Sequence, residues 1–181
     1  NYVLHTGAGY FILTLYEMRV EVEDLPFYLG LMEHLARADI PCPTPVHMKS
    51  GAVTGMLNDR AAAILTFLDG VSLRRPTADH CHHAGLALAD LHRAGASFKG
   101  TRKNALGPEG WRKLADDCAG KADTVADGLR ALIEQELAAL QAAWPSNLPQ
   151  GIIHADLFPD NVLFVNDFVS GLIDFYFACN D

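Results

Sequence analysis

No block of basic residues occurs in the 181-residue chain, whose 14 Lys and Arg are outnumbered by 22 Asp and Glu to leave a formal charge of −8. A nucleic-acid or anionic-membrane surface needs a concentrated basic patch, so neither is expected as a partner. Long apolar runs are also missing. The longest are a few residues, against roughly 20 for a bilayer span, and the N-terminus lacks the charged-then-apolar pattern of an export signal. Cysteine is scarce. Cys42, Cys81, Cys118 and Cys179 are scattered without CxxC spacing in a chain large enough to stabilise itself by burial, which reads as reduced core thiols in a cytoplasmic protein. What remains is ordinary globular material, 50% apolar and 20% charged, enough for a real core in one domain or two small ones. The ends read as cut: the chain starts at Asn1 rather than methionine, almost inside an apolar run, and stops just after a buried-strand pattern, so it reads as a piece.

The opening predicts a β-hairpin, Tyr2 to Thr6 and Tyr10 to Tyr16 around Gly7-Ala8-Gly9, because aromatic and β-branched residues flank glycines that permit positive φ. Those glycines serve either as a phosphate loop or simply as the turn. Leu25, Leu29, Met32 and Leu35 recur at helical spacing behind Asp24-Leu25-Pro26, a capping residue and a first-turn proline, predicting a helix to about Asp39. Pro41 to Pro45 cannot be helical, and Ala61 to Leu68 is an apolar run of strand length. From Thr77 the pattern is helical, with a stripe of Cys81, Ala84, Leu88 and Leu91, and again over the Ala- and Leu-rich segment Trp111 to Trp144, closed by Pro145. Strand character returns at Ile152-Ile153, then Val162 to Val165, a turn at Asn166-Asp167, and Phe168 to Asp174. The pattern implies two lobes around a cleft.

The densest polar constellation is His154-Ala-Asp156-Leu-Phe-Pro-Asp160-Asn161, followed by Gly171-Leu-Ile-Asp174-Phe175. A carboxylate closing a buried strand is costly unless paired or holding a cation, so Asp174 calls for a partner. Asn161 and Asp174 supply hard oxygen ligands of the kind Mg2+ accepts beside phosphates, and Asp156 is placed to take a proton from a hydroxyl. That combination describes phosphoryl transfer.

The order His154-x-Asp156-x4-Asn161, then Ile173-Asp174-Phe175, resembles the catalytic loop and metal-binding motif of the protein-kinase-like fold in its aminoglycoside and choline phosphotransferase variant. Together with Phe11 to Glu17, Gly30 to Leu35, Ile40 to Pro43 and Asp174 to Asp181, it looks like the homoserine kinases of that superfamily, truncated at both ends. The resemblance implies an α+β, two-lobed fold: a small antiparallel-sheet nucleotide-binding lobe over 1–68, a hinge over 69–76 and a mainly helical catalytic lobe over 77–181. It implies an ATP- and Mg2+-dependent kinase acting on the hydroxyl of a small amino acid, L-homoserine to O-phosphohomoserine on the route to threonine. Asp156 would be the catalytic base, Asn161 and Asp174 the metal ligands, and Leu65, Thr66, Phe67 and Leu68 the hinge holding adenine. Asn1 and Tyr2 would lie near the nucleotide. Thr14 stands where most relatives of the fold carry a phosphate-holding lysine; Glu33 would be that lysine's helix partner, and Arg19 is the residue expected to substitute as a phosphate contact.

Alternatives are another acceptor (an aminoglycoside, choline or a methylthio-sugar) and a non-catalytic nucleotide-binding or interaction fragment. The aromatic, mostly neutral stretch from Phe175 to Asn180 leans towards a small zwitterion. His154 reads as a brace for its loop, Asp160 as a turn cap, and His92 as a packed core histidine. His80, His82 and His83 read as a solvated face, since a helix puts only two of them side by side. Sequence leaves the oligomeric state open.

Overall fold

Aromatic and β-branched residues on either side of a glycine turn build the first sheet. The computed structural model describes residues 1–17, 20–118 and 120–181, and these form two compact units, residues 1–102 with 151–181 and residues 103–150. In the first unit β1 (Tyr2–Thr6) and β2 (Gly9–Leu15) make the expected hairpin, with Tyr2 opposite Leu13. Thr6 Oγ1 accepts the Ala8 N–H at 3.1 Å and donates to the Gly9 carbonyl at 2.9 Å, while Gly9 takes a φ of 118° that side-chain-bearing residues rarely adopt. The sheet runs β1-β2-β4-β3, all antiparallel, where β3 is Gly55–Leu57 and β4 is Arg60–Thr66. The proline-rich stretch lies extended along β4: Val46 N–H donates to the Ile64 carbonyl at 2.8 Å and Thr66 N–H to the Thr44 carbonyl at 2.9 Å.

Helix α1 (Leu25–Arg37) buries Leu25, Leu29, Met32 and Leu35 as the spacing requires. Phe27, Tyr28 and Leu31 are buried too, so it is enclosed well beyond one stripe. Asp24 does not cap it with its side chain; its carboxylate is taken by Arg102 Nε at 2.7 Å instead. Helix α2 (Ala78–Gly95) starts under a capping box in which the Thr77 hydroxyl accepts the His80 N–H and His80 Nδ1 accepts the Thr77 N–H at 3.0 Å.

The reading of the three histidines as a solvated face holds for His82 alone. His80 Nε2 lies 3.2 Å from Asp167, and the His83 ring packs against Phe168. His92, expected in the core, is exposed because its place on α2 turns it away from the stripe that ends at buried Leu91 and Gly95. Cys42 and Cys179 are buried free thiols as expected, whereas Cys81 and Cys118 are exposed. Burial pushes the Cys42 thiol up to about 12, far from a reactive thiolate.

In the second unit the expected Trp111 to Trp144 helical stretch is two helices, α3 (Pro108–Cys118) and α4 (Leu129–Ala143). Between them lie a 3-10 turn at Ala122–Thr124 and Gly128, which opens α4 as its N-cap residue with a left-handed φ of 76°. The Trp111 and Trp144 rings meet edge to face, 5.3 Å apart.

The end of the first unit positions the polar constellation. β6 (Ile152–Ile153) pairs with β9 (Cys179–Asn180), so the chain between them leaves and returns at one place. Between them, β7 (Val162–Val165) and β8 (Phe168–Leu172) form the expected hairpin, flanked by β5 (Val71–Ser72). β8 ends at Leu172 rather than Asp174, because Asp174 adopts φ 66° and turns the chain. Leu172 N–H donates to the Pro41 carbonyl at 2.8 Å, tying this hairpin to the proline-rich stretch. Among the described residues no helix is long and apolar enough to cross a membrane.

Two glycines of α2 give opposite expectations for one substitution. A Cβ at Gly85 meets nothing within 4 Å, so Gly85→Ala should stabilise by about 0.5–1 kcal/mol through helix propensity. At Gly95 a Cβ would lie 2.9 Å from Ile152 Cβ of β6, so Gly95→Ala should destabilise by about 1–3 kcal/mol. Urea denaturation measures both; equal shifts would contradict this packing of α2 on β6.

Candidate active site

His154 follows β6 directly and is buried, 1% exposed, against the Phe175 ring 4.8 Å away. Its Nδ1 accepts the Asp156 N–H at 3.3 Å, which leaves the proton on Nε2 to donate to the Ile173 carbonyl at 3.0 Å. Burial lowers its pKa, since an imidazolium would be poorly solvated there. The ring is therefore a neutral brace between the loop after β6 and the residue before Asp174.

Within that loop Ala155 takes a φ of 63°, a conformation costly for any residue with a Cβ, and Asp156 follows it. The buried Asn161 donates from Nδ2 to the Asp156 carbonyl at 2.7 Å and to Asp156 Oδ2 at 3.1 Å. Two acceptors on one side fix the amide orientation and turn Oδ1 the other way. Its own carbonyl accepts the Ile173 N–H at 3.0 Å, a second tie to the Asp174 segment.

Asp174 is exposed, yet its carboxyl is pushed above the usual carboxylate range, first by partial desolvation and next by the negative charge of Asp156. The Tyr176 backbone N–H acts the other way. The Asp174 carboxyl, with its raised affinity for positive charge, and the Asn161 amide oxygen are hard oxygen donors of a kind that suits Mg2+. Among the described residues no group of three or more His, Cys, Asp or Glu could hold a metal ion alone. Asn161 and Asp174 could supply two of the oxygen ligands of such an ion, with phosphate oxygens and water as the remainder, the manner in which Mg2+ is usually held.

Beside Asp174 opens a cavity of about 370 Å³ lined by Asn1, Thr14, Tyr16, Glu17 and Tyr176 among others. Thr14 and Tyr16 share a face because strand side chains alternate, and both are buried. The Tyr16 and Tyr176 hydroxyls are 3.1 Å apart, and Thr14 lines the cavity with them. Burial raises both phenols well above their ordinary value, so they remain protonated donors.

Of the residues expected around a nucleotide, Asn1 lines this cavity, and Tyr2 is exposed on β1 opposite Leu13. Glu33 is engaged elsewhere, 2.5 Å from His47 Nε2. Leu65 is buried at the end of β4, Thr66 Oγ1 accepts the Thr44 N–H at 2.9 Å, and Phe67 packs near Tyr10; none of these nor Leu68 is among the lining of this cavity. Arg19 lies outside the described residues. Sequence reasoning gave Tyr16, Glu17 and Tyr176 no role. The alternation of Thr14 with Tyr16, and the two-residue step from Asp174 to Tyr176, were the available signals.

The fold is the α+β, protein-kinase-like fold of aminoglycoside phosphotransferases. A solved aminoglycoside phosphotransferase from Alicyclobacillus acidocaldarius superposes with a TM-score of 0.66 over 98% of this chain and 60% of its own, at 17% identity. An amicoumacin kinase solved with AMP-PNP, Ca2+ and Ami reaches 0.74 over 99% of this chain and 56% of its own, at 12% identity. The phosphotransferase enzyme family matches residues 1–181, and the chain belongs to that family. It is 60% identical over all 181 residues to the homoserine kinase of Rhodospirillum rubrum, spanning 56% of that protein's length.

The His154 geometry predicts a pH effect. The folded pKa lies below the ordinary 6.5, so the brace stabilises fully above that pH and its contribution is lost as pH falls through the folded value. Stability should decline below pH 6.5 by up to about 1.4 kcal/mol per unit from this group. Imidazole 15N NMR should show a neutral Nε2–H tautomer at pH 6.5; an imidazolium there would contradict the assignment.

Proposed function

We propose that the chain carries the nucleotide- and metal-binding part of an ATP- and Mg2+-dependent kinase that phosphorylates L-homoserine to O-phosphohomoserine. The observation that carries this reading is the Asn161 side chain gripping Asp156 at 2.7 and 3.1 Å while His154 and Asn161 both tie that loop to Ile173, beside Asp174. The identity with a homoserine kinase along the full chain supports the acceptor. Residues 1–68 would form the nucleotide-binding lobe, 69–76 the connection and 77–181 the catalytic lobe, with Leu65, Thr66, Phe67 and Leu68 holding adenine through backbone groups.

In this reading Asp156 accepts a hydrogen bond from the acceptor hydroxyl and aligns its oxygen with the γ-phosphorus. As the O–P bond forms and ADP departs, the hydroxyl proton passes to the Asp156 carboxylate. Asn161 keeps that carboxylate in one rotamer through its Nδ2 bond, so little reorganisation is left for the reaction. Mg2+, when bound by Asn161 Oδ1 and Asp174, supplies charge neutralisation for the phosphate oxygens.

The test uses the intact protein with Mg2+ and ATP against homoserine, choline, kanamycin and methylthioribose. Turnover is expected with homoserine. Asp156→Asn should lower kcat by about 10²–10⁴-fold while leaving nucleotide affinity nearly unchanged, and Asp174→Asn should weaken Mg2+-dependent nucleotide binding. Turnover with a different acceptor would replace homoserine, and folded protein inert to all four would leave a non-catalytic nucleotide-binding role.

A further inference from the structure

Three hydroxyl-bearing side chains, Thr14, Tyr16 and Tyr176, stand together in the wall of the cavity beside Asp174. The Tyr16 and Tyr176 oxygens are 3.1 Å apart. That link uses one phenol proton and leaves the other for an acceptor outside the pair. All three residues line the same cavity of about 370 Å³.

Among the described lining residues of that cavity Glu17 and Asp174 are acidic and none is Lys or Arg. Glu17 is paired with Arg60, which leaves Asp174 as the negative group facing the space. A cation at Asp174 would offset that charge for an entering polyanion, and the directional donors the described residues then offer it are neutral hydroxyls.

We propose that the Tyr16–Tyr176 hydroxyl pair, with the Thr14 hydroxyl beside it in the cavity wall, donates to the phosphate oxygens of the bound nucleotide and fixes their position beside the metal held by Asp174. The proposal rests on the kinase reading above and adds the groups that bind the phosphates. Rigid placement favours this role: the Tyr16 and Tyr176 rings pack edge to face at 5.3 Å, and Tyr28 meets Tyr176 at 5.7 Å, so the hydroxyls are presented by rings that cannot swing away. Either phenol can take up the outward donor role, since either oxygen can donate across the 3.1 Å link, so a single deletion weakens binding without abolishing it.

Tyr→Phe substitutions remove the hydroxyls and keep the ring packing. Calorimetric titration of the intact protein with Mg2+-ADP and with adenosine should show Tyr176→Phe, and separately Thr14→Val, weakening Mg2+-ADP by about 3- to 10-fold while adenosine stays within about twofold. The Tyr16→Phe/Tyr176→Phe pair should lose more than either single variant, with the Mg2+ concentration for half-saturation unchanged. Equal loss of adenosine and Mg2+-ADP, or a shift in Mg2+ requirement alone, would overturn the proposal in favour of a purely structural pin on the Asp174 turn. Unchanged Mg2+-ADP affinity in all variants, against a wild type that binds it, would overturn this proposal alone. A wild type that binds neither ligand would overturn the kinase reading with it.

Discussion

A neutral imidazole shut away from water ties together the segments that carry the acidic residues of the site. His154 receives the Asp156 N–H on one nitrogen and gives its proton to the Ile173 carbonyl from the other, so a single ring sets the separation between the loop after β6 and the turn at Asp174. Replacing it would orphan a buried N–H and a carbonyl, each costing about 1–3 kcal/mol. Protonating it would break the Nδ1 bond and bury a charge. The residue with no direct chemistry is thus the one on which the chemistry's geometry depends.

The rest of the first unit holds that brace in place. β6 and β9 pair at the base of the segment, Gly95 lets α2 approach Ile152, and the Pro41 carbonyl anchors the end of β8. Left-handed turns at Ala155 and Asp174 aim the flanking side chains, and such strained residues persist only where the surroundings hold them. On the other side of Asp174, the phenols of Tyr16, just after β2, and Tyr176 hydrogen-bond each other, so the end of the sheet and the Asp174 turn share a wall. Family membership accounts for this architecture, while the acceptor is a matter of site chemistry.

Much of this was legible in the chain itself. The Gly7 to Gly9 hairpin, the α1 stripe, the Thr77 cap and the Asn166 turn all follow from local chemistry, and Asp156, Asn161 and Asp174 stand out as polar residues in apolar surroundings. What failed was decided by tertiary partners. Asp24 has the makings of a cap but meets Arg102, and Glu33 meets His47. His80 looked solvated but is drawn into its own cap and towards Asp167. The Trp111 to Trp144 stretch divides into α3 and α4, with Gly120, Asp123, Thr124 and Gly128 in the interval that the Ala- and Leu-rich pattern passed over. The hydroxyl pair was invisible for the same reason: Tyr16 and Tyr176 are 160 positions apart and meet only in the fold.

The central claim is that Asn161 and Asp174 offer their oxygens to one metal ion beside Asp156. Mn2+ added with ADP to the isotope-labelled intact protein tests it directly, because a paramagnetic ion broadens the NMR signals of the groups nearest to it. The Asn161 side-chain amide and the Asp174 backbone amide should broaden together and first, well before signals from His80 and His83. Broadening centred on those histidines, with Asn161 and Asp174 left sharp, would contradict the account.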